Sequence, residues 1–321
     1  MWLSVRVPAS SANLGPGFDA LAIALSRYLV VTVETTGHQQ IEALPARELG
    51  DGRDLVLEAM QALARLVGKR LPGCRIEVES AIPVARGLGS SAAAIVGGLL
   101  AANVLLGAPL TKEGIWRLAW QLEGHGDNVT AALYGGAVLA LEGQAGPLAR
   151  QVPIAAPLRA VLLIPDQPGY TSEARAVLPD QVTRQVAIAT AARCALLVLA
   201  LSTGQFALLG EAMADDLHQP YRATLYPYLV DAIAAARSGG AYGACLSGSG
   251  PSVLALAAPD SAEAVRRQLA RVVERHRMSA EVTILDIANE GATVNVAPQT
   301  SPGAQSTRRG IDRSAGTPVK A

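Results

Sequence analysis

A glycine- and serine-rich segment near residue 85 has the residue types needed to bind a phosphate group. It reads Pro83-Val84-Ala85-Arg86-Gly87-Leu88-Gly89-Ser90-Ser91-Ala92. Its two glycines let the backbone turn sharply and let N–H groups approach an anion without an interfering Cβ. The uncharged run 90–106 that follows predicts a buried helix, whose start adds unpaired N–H groups, a positive dipole end and two hydroxyls. The segment therefore predicts a phosphate-binding loop in preference to a simple turn before a core helix.

The loop alone leaves the kind of nucleotide open. No Gly-Lys-Ser/Thr sequence follows the glycines, so the segment is not a Walker A loop. A dinucleotide fingerprint also fits poorly, because no parallel strand with an acidic residue about 20 positions on is expected after the helix. Other segments of the chain are needed to indicate which nucleotide binds.

Two further loops rich in small residues lie near the ends of the chain. The first, 7–19, reads VPASSANLGPGFD and contains Asn13 and Asp19. The second, 243–251, reads GACLSGSGP and is expected between two strands. Such compositions are typical of tight loops with exposed polar groups. Taken alone, the second loop is explained equally well as a hairpin turn.

Hydrophobic periodicity predicts the elements that carry these loops. Strands are expected at 3–7, 28–34, 75–79, 137–141 and 159–164, and around the second loop. Helices are expected at 55–66, 90–106, 111–123, 181–201, 205–213, 227–237 and 261–277. Helices covering one face of a mixed sheet indicate an α+β fold. Prolines between 147 and 157 mark the expected boundary between units 1–155 and 156–297, and the polar tail 298–321 is expected to be disordered.

Composition excludes several classes of protein. The 321 residues are half hydrophobic, and 27 basic and 27 acidic side chains cancel, so no bulk charge favours nucleic acid or a membrane surface. Three cysteines without CxxC spacing argue against a disulfide framework, and no signal-peptide pattern begins the chain. The longest apolar runs contain Asn103 and Arg193 and look short for a membrane span. A soluble cytoplasmic protein is expected.

The order of the three loops resembles the GHMP kinase superfamily, which includes galactokinases, homoserine kinases, mevalonate kinases and phosphomevalonate kinases. The resemblance runs from residue 5 to about residue 287. It implies an α+β GHMP kinase fold, with a domain like the second domain of ribosomal protein S5 at 1–155 and a ferredoxin-like domain at 156–297. It also implies an active site in the cleft, with the phosphates of ATP on loop 83–92.

Within the superfamily, the first loop looks most like that of the homoserine kinases, with Ser10 in place of their usual threonine. Three shorter runs also look like that family: EGHGDNV at 123–129, TSEAR at 171–175 and LHQPYR at 217–222. The resemblance implies phosphorylation of the side-chain hydroxyl of L-homoserine to O-phospho-L-homoserine, a step in threonine biosynthesis. The superfamily also suggests a homodimer.

A homoserine site must hold a carboxylate and an ammonium while it leaves the hydroxyl free. Arginine recognises carboxylates in a planar, bidentate way, so Arg175 and Arg222 are the predicted carboxylate ligands. By resemblance, Asp19 is the predicted counter-charge for the ammonium. Hydrogen bonds to the substrate are expected from Asn13, His125 and Asn128.

Magnesium and catalysis follow from the same resemblance. Ser91 and Glu123 are the predicted Mg²⁺ ligands, because a hydroxyl and a carboxylate suit this hard cation. The motifs offer no lysine to assist an aspartate base, so catalysis by alignment is expected, since phosphoryl transfer depends mainly on positioning and charge stabilisation. Thr171 would stabilise the transferring group and Asn128 would orient the substrate. Asp19 as a general base is the less favoured alternative.

Some alternatives stay open. Asp54 stands where many relatives carry an asparagine near the nucleotide base and ribose, so it is either an ATP ligand or only a helix cap. The protein could be a superfamily kinase for another alcohol, such as a mevalonate-pathway intermediate, or a non-catalytic ligand sensor. An RNA-binding role is disfavoured by zero net charge and only two phenylalanines.

Overall fold

The computed structural model describes residues 1–43 and 54–297, so the predicted disordered tail lies outside the described residues. The strands are β1 (Trp2–Asn13), β2 (Gly17–Thr35), β3 (Ile41–Ala43), β4 (Cys74–Ser80), β5 (Ala137–Gly143), β6 (Gly146–Val152), β7 (Arg159–Pro165), β8 (Ala241–Leu246), β9 (Val253–Ala257), β10 (Ala280–Asp286) and β11 (Thr293–Ala297). The helices are α1 (Leu55–Leu66), α2 (Ser90–Leu105), α3 (Lys112–Glu123), α4 (Asp127–Tyr134), α5 (Thr171–Ala176), α6 (Arg184–Thr203), α7 (Leu209–Ala212), α8 (Gln219–Arg222), α9 (Leu229–Ser238) and α10 (Ala262–Arg275).

The first sheet has the order β11-β1-β2-β4-β3, and β5 and β6 extend it from β2. Alternate residues of β1, from Leu3 to Val7, are fully buried, as the sequence pattern predicts. Helix α2 packs on β1 and β2 with one side and on α1 and α3 with the other, which explains why it carries no polar face. Gly97 lies against Val31, and a Cβ on Gly98 would overlap the Val56 carbonyl, so these glycines allow close packing on both sides.

The second sheet has the antiparallel order β10-β7-β9-β8. Helices α9 and α10 pack together and cover this sheet. Helix α10 buries Val265, Leu269 and Val272, one apolar residue per turn, and exposes charged residues elsewhere. The two sheets and their helices confirm the predicted α+β class.

The last described strand joins the first sheet. Residues 293–297, which the sequence analysis assigned to the second unit, form β11 and pair antiparallel with β1, with Trp2 opposite Ala297. Sequence patterns could not predict this pairing, because they report local periodicity and not the partner of a strand. Apart from β11, the strands before residue 155 belong to the first sheet and the strands after it belong to the second sheet. That the two domains meet at this residue stays a prediction.

Two local predictions need correction. The helix expected at 205–213 is a 3₁₀ turn at Phe206–Leu208 followed by the short α7. The structure also contains the short helix α5 after β7, in a segment to which the hydrophobic pattern assigns no element. Helix α6 was judged short for a membrane span, yet among the described residues it is the helix that is long and apolar enough to cross one. Its central Arg193 forms ion pairs with Glu211 at 3.0 Å and Asp216 at 2.6 Å, which tie it to the protein surface.

Candidate active site

The three segments singled out in the sequence meet in the structure. Most of the first loop, predicted at 7–19, belongs to strands β1 and β2, which are longer than expected, so only residues 14–16 connect them. The backbone N–H of Ser10, in the first loop, donates to the carbonyl of Leu88 in the phosphate-binding loop at 3.1 Å. The hydroxyl of Ser247, in the last loop, donates to the carbonyl of Gly87 at 2.6 Å. The glycine- and serine-rich segments therefore form one continuous wall, built by the ends of β1, α2 and β8.

The backbone of loop 83–92 requires its glycines. Gly87 has φ +71° and Gly89 has φ +68°, a left-handed region that favours glycine. A Cβ on Gly87 would overlap the carbonyl oxygen of Ser247, and a Cβ on Gly89 would overlap Oγ of Ser10. Helix α2 begins at Ser90 without a side-chain cap, so its first N–H groups remain available to an anion.

Two predicted ATP-binding side chains are already engaged by the protein itself. The guanidinium of Arg86 donates to the carbonyls of Pro165 at 2.7 Å and Val84 at 2.8 Å. Asp54 caps α1, because its Oδ1 accepts from the N–H of Leu57 at 3.0 Å. The structure thus supplies the helix-cap role that was one of the two options for Asp54.

A cleft of about 410 Å³ opens beside the start of α2. Its lining combines residues of the first loop, the phosphate-binding loop and two of the shorter runs. They are Asp19, Ser91, Glu123, Gly124, His125, Thr171 and Arg175. Six of these seven residues were predicted from the sequence, so the cleft brings the predicted groups together.

Ser91 and Glu123 form a close oxygen pair at one side of the cleft. The hydroxyl of Ser91 donates to Oε1 of Glu123 at 2.5 Å, and the Glu123 side chain is only 8% exposed. Burial raises the pKa of Glu123, although the hydrogen bond from Ser91 and the charge of His125 oppose this shift. A cation beside the carboxylate would offset the cost of its burial.

These two oxygens fit a magnesium ion that binds mainly through phosphate and water. Within residues 1–43 and 54–297, no group of three or more His, Cys, Asp or Glu side chains could hold a metal. A site that supplies few protein ligands suits Mg²⁺, which keeps several waters and shares phosphate oxygens. Ser91 and Glu123 are therefore compatible with Mg²⁺ bound together with a nucleotide.

Asp127 is a site residue that the sequence analysis missed. Its Oδ1 lies 2.7 Å from Nδ1 of His125 and also accepts from the N–H of Asn128 at 2.7 Å. Burial alone would lower the pKa of His125, but the hydrogen bond to Asp127 and the charges of Asp127, Glu123 and Asp19 raise it overall. The sequence signal that could have identified Asp127 is its position two residues after His125, within the run 123–129.

Asp19 and Arg175 pair with each other across the cleft. Both Nη atoms of Arg175 donate to the Asp19 carboxylate, at 2.8 to 3.0 Å. The two side chains are 37% and 41% exposed. The predicted ammonium ligand and the predicted carboxylate ligand therefore form an ion pair with each other.

Arg222 is buried, with only 2% of its surface exposed. Its Nε donates to the carbonyl of Ala174 at 3.1 Å, and its Nη1 contacts Nδ1 of His218 at 3.2 Å and the carbonyl of Gly248 at 3.1 Å. Burial, followed by the charge of Arg175, lowers the pKa of Arg222 to about 10. Of the three guanidinium nitrogens of Arg222, Nη2 has no hydrogen-bond partner in the described part of the chain. A bidentate contact between Arg222 and a substrate would therefore have to break an existing hydrogen bond.

Asn13 is also buried and fully engaged. Its Nδ2 donates to the carbonyl of Gly248 at 2.9 Å, and its Oδ1 accepts from the N–H of Asp19 at 3.0 Å. Both Asn13 and Asp19 have positive φ angles, a conformation that asparagine and aspartate tolerate better than most residues. In this arrangement Asn13 shapes the loop that presents Asp19.

Asn128 and Thr171 each lie within hydrogen-bond distance of a serine in one of the other two loops. Oδ1 of Asn128 accepts from the hydroxyl of Ser10 at 2.8 Å, next to Gly89. The Thr171 hydroxyl lies 3.3 Å from the Ser249 hydroxyl of the last loop. Both predicted catalytic groups thus border the wall formed by the three loops.

Comparison with known families matches both parts of the chain. The model of the GHMP kinases N terminal domain matches residues 54–136, and that of the GHMP kinases C terminal domain matches residues 197–275. A homoserine kinase of Desulfitobacterium hafniense is 43% identical over 293 residues, which are 90% of this chain and 99% of that protein. One from Trichormus variabilis is 42% identical, over 91% of this chain and 98% of that protein.

Solved structures agree with this match. The crystal structure of homoserine kinase from Cytophaga hutchinsonii superposes with a TM-score of 0.83 at 28% identity, covering 92% of this chain and 97% of that one. L. major mevalonate kinase has the same fold, with a TM-score of 0.70 at 20% identity, over 88% of this chain and 94% of that one. The predicted GHMP kinase fold is confirmed, and the chain belongs to the GHMP kinase superfamily and, within it, to the homoserine kinase family.

Proposed function

We propose that this protein transfers the γ-phosphoryl group of ATP to the side-chain hydroxyl of L-homoserine, a step in threonine biosynthesis. The observation that carries the proposal is the cleft, in which the Ser91–Glu123 pair faces the same space as the Asp19–Arg175 pair. The first pair suits a metal-bound phosphate, and the second offers one charge of each sign, as the zwitterion of an amino acid requires. The similarity to homoserine kinases supports the same choice.

ATP would bind with its phosphates on loop 83–92 and at the start of α2. The N–H groups of this loop and helix provide hydrogen bonds and a favourable dipole for an anion. Ser91 and Glu123 would hold Mg²⁺, which supplies charge neutralisation for the phosphates when it is bound. The predicted ATP contacts of Arg86 and Asp54 would then come from their backbone, because both side chains are engaged elsewhere.

L-homoserine would enter between Asp19 and Arg175. Its ammonium would bind the Asp19 carboxylate and its carboxylate would bind Arg175, so each partner exchanges one ionic contact for another. His125, whose raised pKa favours the protonated ring, adds a positive charge near the substrate carboxylate. Asn128 would orient the hydroxyl, and Thr171 would donate to the transferring phosphoryl group.

Catalysis in this scheme rests on alignment. Asp19 would be occupied by the substrate ammonium, which makes it unsuited to remove a proton from the hydroxyl. Loss of the hydroxyl proton need not precede transfer, because the transition state of phosphoryl transfer is loose and depends mainly on charge stabilisation.

The location and the assembly are also part of the proposal. We expect a soluble cytoplasmic protein whose α6 remains on its surface, because Arg193 is ion-paired and Leu197 and Leu201 are buried. The superfamily suggests a homodimer, and the exposed apolar side chains of α6, among them Ile188 and Leu199, can pair with a second copy of the same surface. The mass in solution is the measurement that decides the assembly.

The proposed function is tested by a panel of alcohols with ATP and Mg²⁺. Production of ADP is measured with L-homoserine, L-serine, L-threonine and R-mevalonate. We expect robust turnover with L-homoserine and none with R-mevalonate, because only an amino acid satisfies both Asp19 and Arg175. L-Serine and L-threonine carry the hydroxyl one carbon nearer to the charged groups, so they should be poorer substrates. Turnover with mevalonate in place of homoserine would assign the protein to another kinase, and ATP binding without any turnover would support a ligand sensor.

A further inference from the structure

His218 is a buried histidine that joins two parts of the substrate end of the cleft. It is 0% exposed, and its Nε2 lies 2.8 Å from the carbonyl oxygen of Gly15 in the first loop. Its Nδ1 lies 3.2 Å from Nη1 of Arg222. Because the first loop belongs to the first sheet and Arg222 lies in α8, His218 connects the two halves of the protein.

The partners of His218 determine its protonation. The Gly15 carbonyl can only accept, so Nε2 carries the hydrogen, and the guanidinium of Arg222 can only donate, so Nδ1 offers its lone pair. The ring is therefore neutral, and burial lowers its pKa in agreement with this assignment. Asp215 accepts from the backbone N–H groups of His218 and Gln219, at 2.9 Å and 2.7 Å, and so fixes the backbone from which the ring projects.

Arg222 needs such a fixed partner. The carbonyl of Gly248 accepts from Nη1 of Arg222 and also from Asn13, so Arg222, His218 and the first loop close a ring of hydrogen bonds. The Phe18 ring lies 5.2 Å from the guanidinium carbon of Arg222 and 5.4 Å from that of Arg175. Arg222 is thus held next to an arginine that lines the cleft, with Nη2 as its remaining donor.

We propose that His218 is a positioning residue for substrate recognition: by accepting from Nη1 and bonding the first loop, it orients Arg222 so that Nη2 is available to the substrate carboxylate. This inference rests on the proposed function, since it takes Arg222 as a second ligand, beside Arg175, of the carboxylate of the amino acid. His218 itself does not touch the substrate. It acts through Arg222, so its loss should impair binding of the carboxylate and little else.

Two substitutions separate the two bonds of the imidazole. In His218→Asn, the amide oxygen replaces Nδ1 and still accepts from Arg222, whereas the bond to Gly15 is lost. In His218→Gln, the amide nitrogen reaches the position of Nε2 and still donates to Gly15, whereas the acceptor for Arg222 is lost. His218→Leu loses both bonds. Circular dichroism and thermal melting show whether each variant is folded.

The readout compares two substrates with saturating MgATP. L-homoserine carries the carboxylate, and 3-aminopropan-1-ol has the same amine and hydroxyl without it. Because a hydrogen bond to a charged group is lost, we expect His218→Gln to raise the KM for homoserine about ten-fold or more. Its kcat should change little, and kcat/KM for 3-aminopropan-1-ol should stay within about two-fold of wild type, since that substrate makes no contact with Arg222. His218→Asn should restore most of the affinity for homoserine.

A double-mutant cycle gives an independent arm. If His218 acts through Arg222, the effect of His218→Gln on homoserine should nearly vanish in an Arg222→Lys background. The double-mutant cycle tests the role of His218 by itself if 3-aminopropan-1-ol is not turned over or if His218→Leu does not fold. Equal losses on both substrates, additive effects in the cycle, or normal homoserine kinetics in His218→Gln would each overturn the assignment. A wild-type protein that does not phosphorylate L-homoserine would overturn the proposed function, and with it the role of His218. The other outcomes overturn only the role of His218, so the two failures can be told apart.

Discussion

Replacing Asp19 by asparagine should weaken homoserine binding strongly while it leaves the fold almost unchanged. Asparagine keeps the shape of the side chain and tolerates the positive φ of 56° at this position. The substitution removes only the negative charge that pairs with Arg175 and that would pair with the substrate ammonium.

The magnitudes of the two effects differ because of exposure. The Asp19–Arg175 pair is 37% and 41% exposed, and an exposed ion pair contributes at most about 1 kcal/mol to folding. A hydrogen bond between charged groups is worth about 1.5–3 kcal/mol, so losing the contact with the ammonium corresponds to an increase in KM of about 10- to 100-fold. Substrate binding should therefore suffer more than stability.

Steady-state kinetics at saturating MgATP and calorimetric melting measure the two effects separately. Asp216→Asn is a matched control, because it breaks an exposed Arg–Asp contact, here with Arg193, outside the cleft. The control should keep the wild-type KM for homoserine. An unchanged KM in Asp19→Asn, or a similar rise in the control, would refute the assignment of Asp19 to the ammonium.

Two further substitutions test the nucleotide side of the cleft. Gly89→Ala should lower kcat/KM for ATP about ten-fold or more, because its Cβ would overlap Oγ of Ser10 and shift the loop. Gly107→Ala is its control, because Gly107 also has a positive φ but has open space around it; equal losses in both would contradict the phosphate-loop role. At Glu123, whose pKa is raised by burial, the carboxyl gains its proton at a higher pH than an ordinary glutamate. The Mg²⁺ concentration needed for half-maximal activity should therefore increase as the pH falls from about 7.5 to about 5.5. Glu123→Gln should need more Mg²⁺ throughout and show a smaller increase, which comes from the nucleotide phosphates alone.

A Mg²⁺ requirement that increases equally in the wild type and in Glu123→Gln would remove Glu123 from the metal site. Ser91 offers no titratable group in this range, so it cannot produce such a dependence by itself. Measuring the Glu123→Gln variant at both ends of the range separates titration of this carboxyl from titration of the nucleotide phosphates, which is common to both proteins.

The sequence predicted the groups that line the cleft better than it predicted their contacts. The resemblance to the GHMP kinases selected Ser91 and Glu123, and the structure brings both to the same cleft. Residue type suggested Arg222 as a bidentate ligand, whereas the structure buries it and engages Nε and Nη1. Burial depends on which segments pack together, and a single sequence does not report that.

The missed residues share one property. Asp127 and His218 act on other side chains, one through His125 and the other through Arg222. Their roles are defined by a partner's position in space, so residue type alone gave no reason to select them. For the same reason neither β11 nor its return to the first sheet was predicted, because a short strand at the edge of a sheet is defined by the strand that it pairs with.

The central claim is tested most directly by following the phosphate itself. Wild-type protein is mixed with ATP, Mg²⁺ and L-homoserine, and the products are observed by ³¹P nuclear magnetic resonance. The account predicts a phosphomonoester signal, split by the adjacent CH₂ protons, that grows in step with ADP and matches O-phospho-L-homoserine. ADP formed with only inorganic phosphate, or no consumption of ATP when homoserine is present, would contradict it.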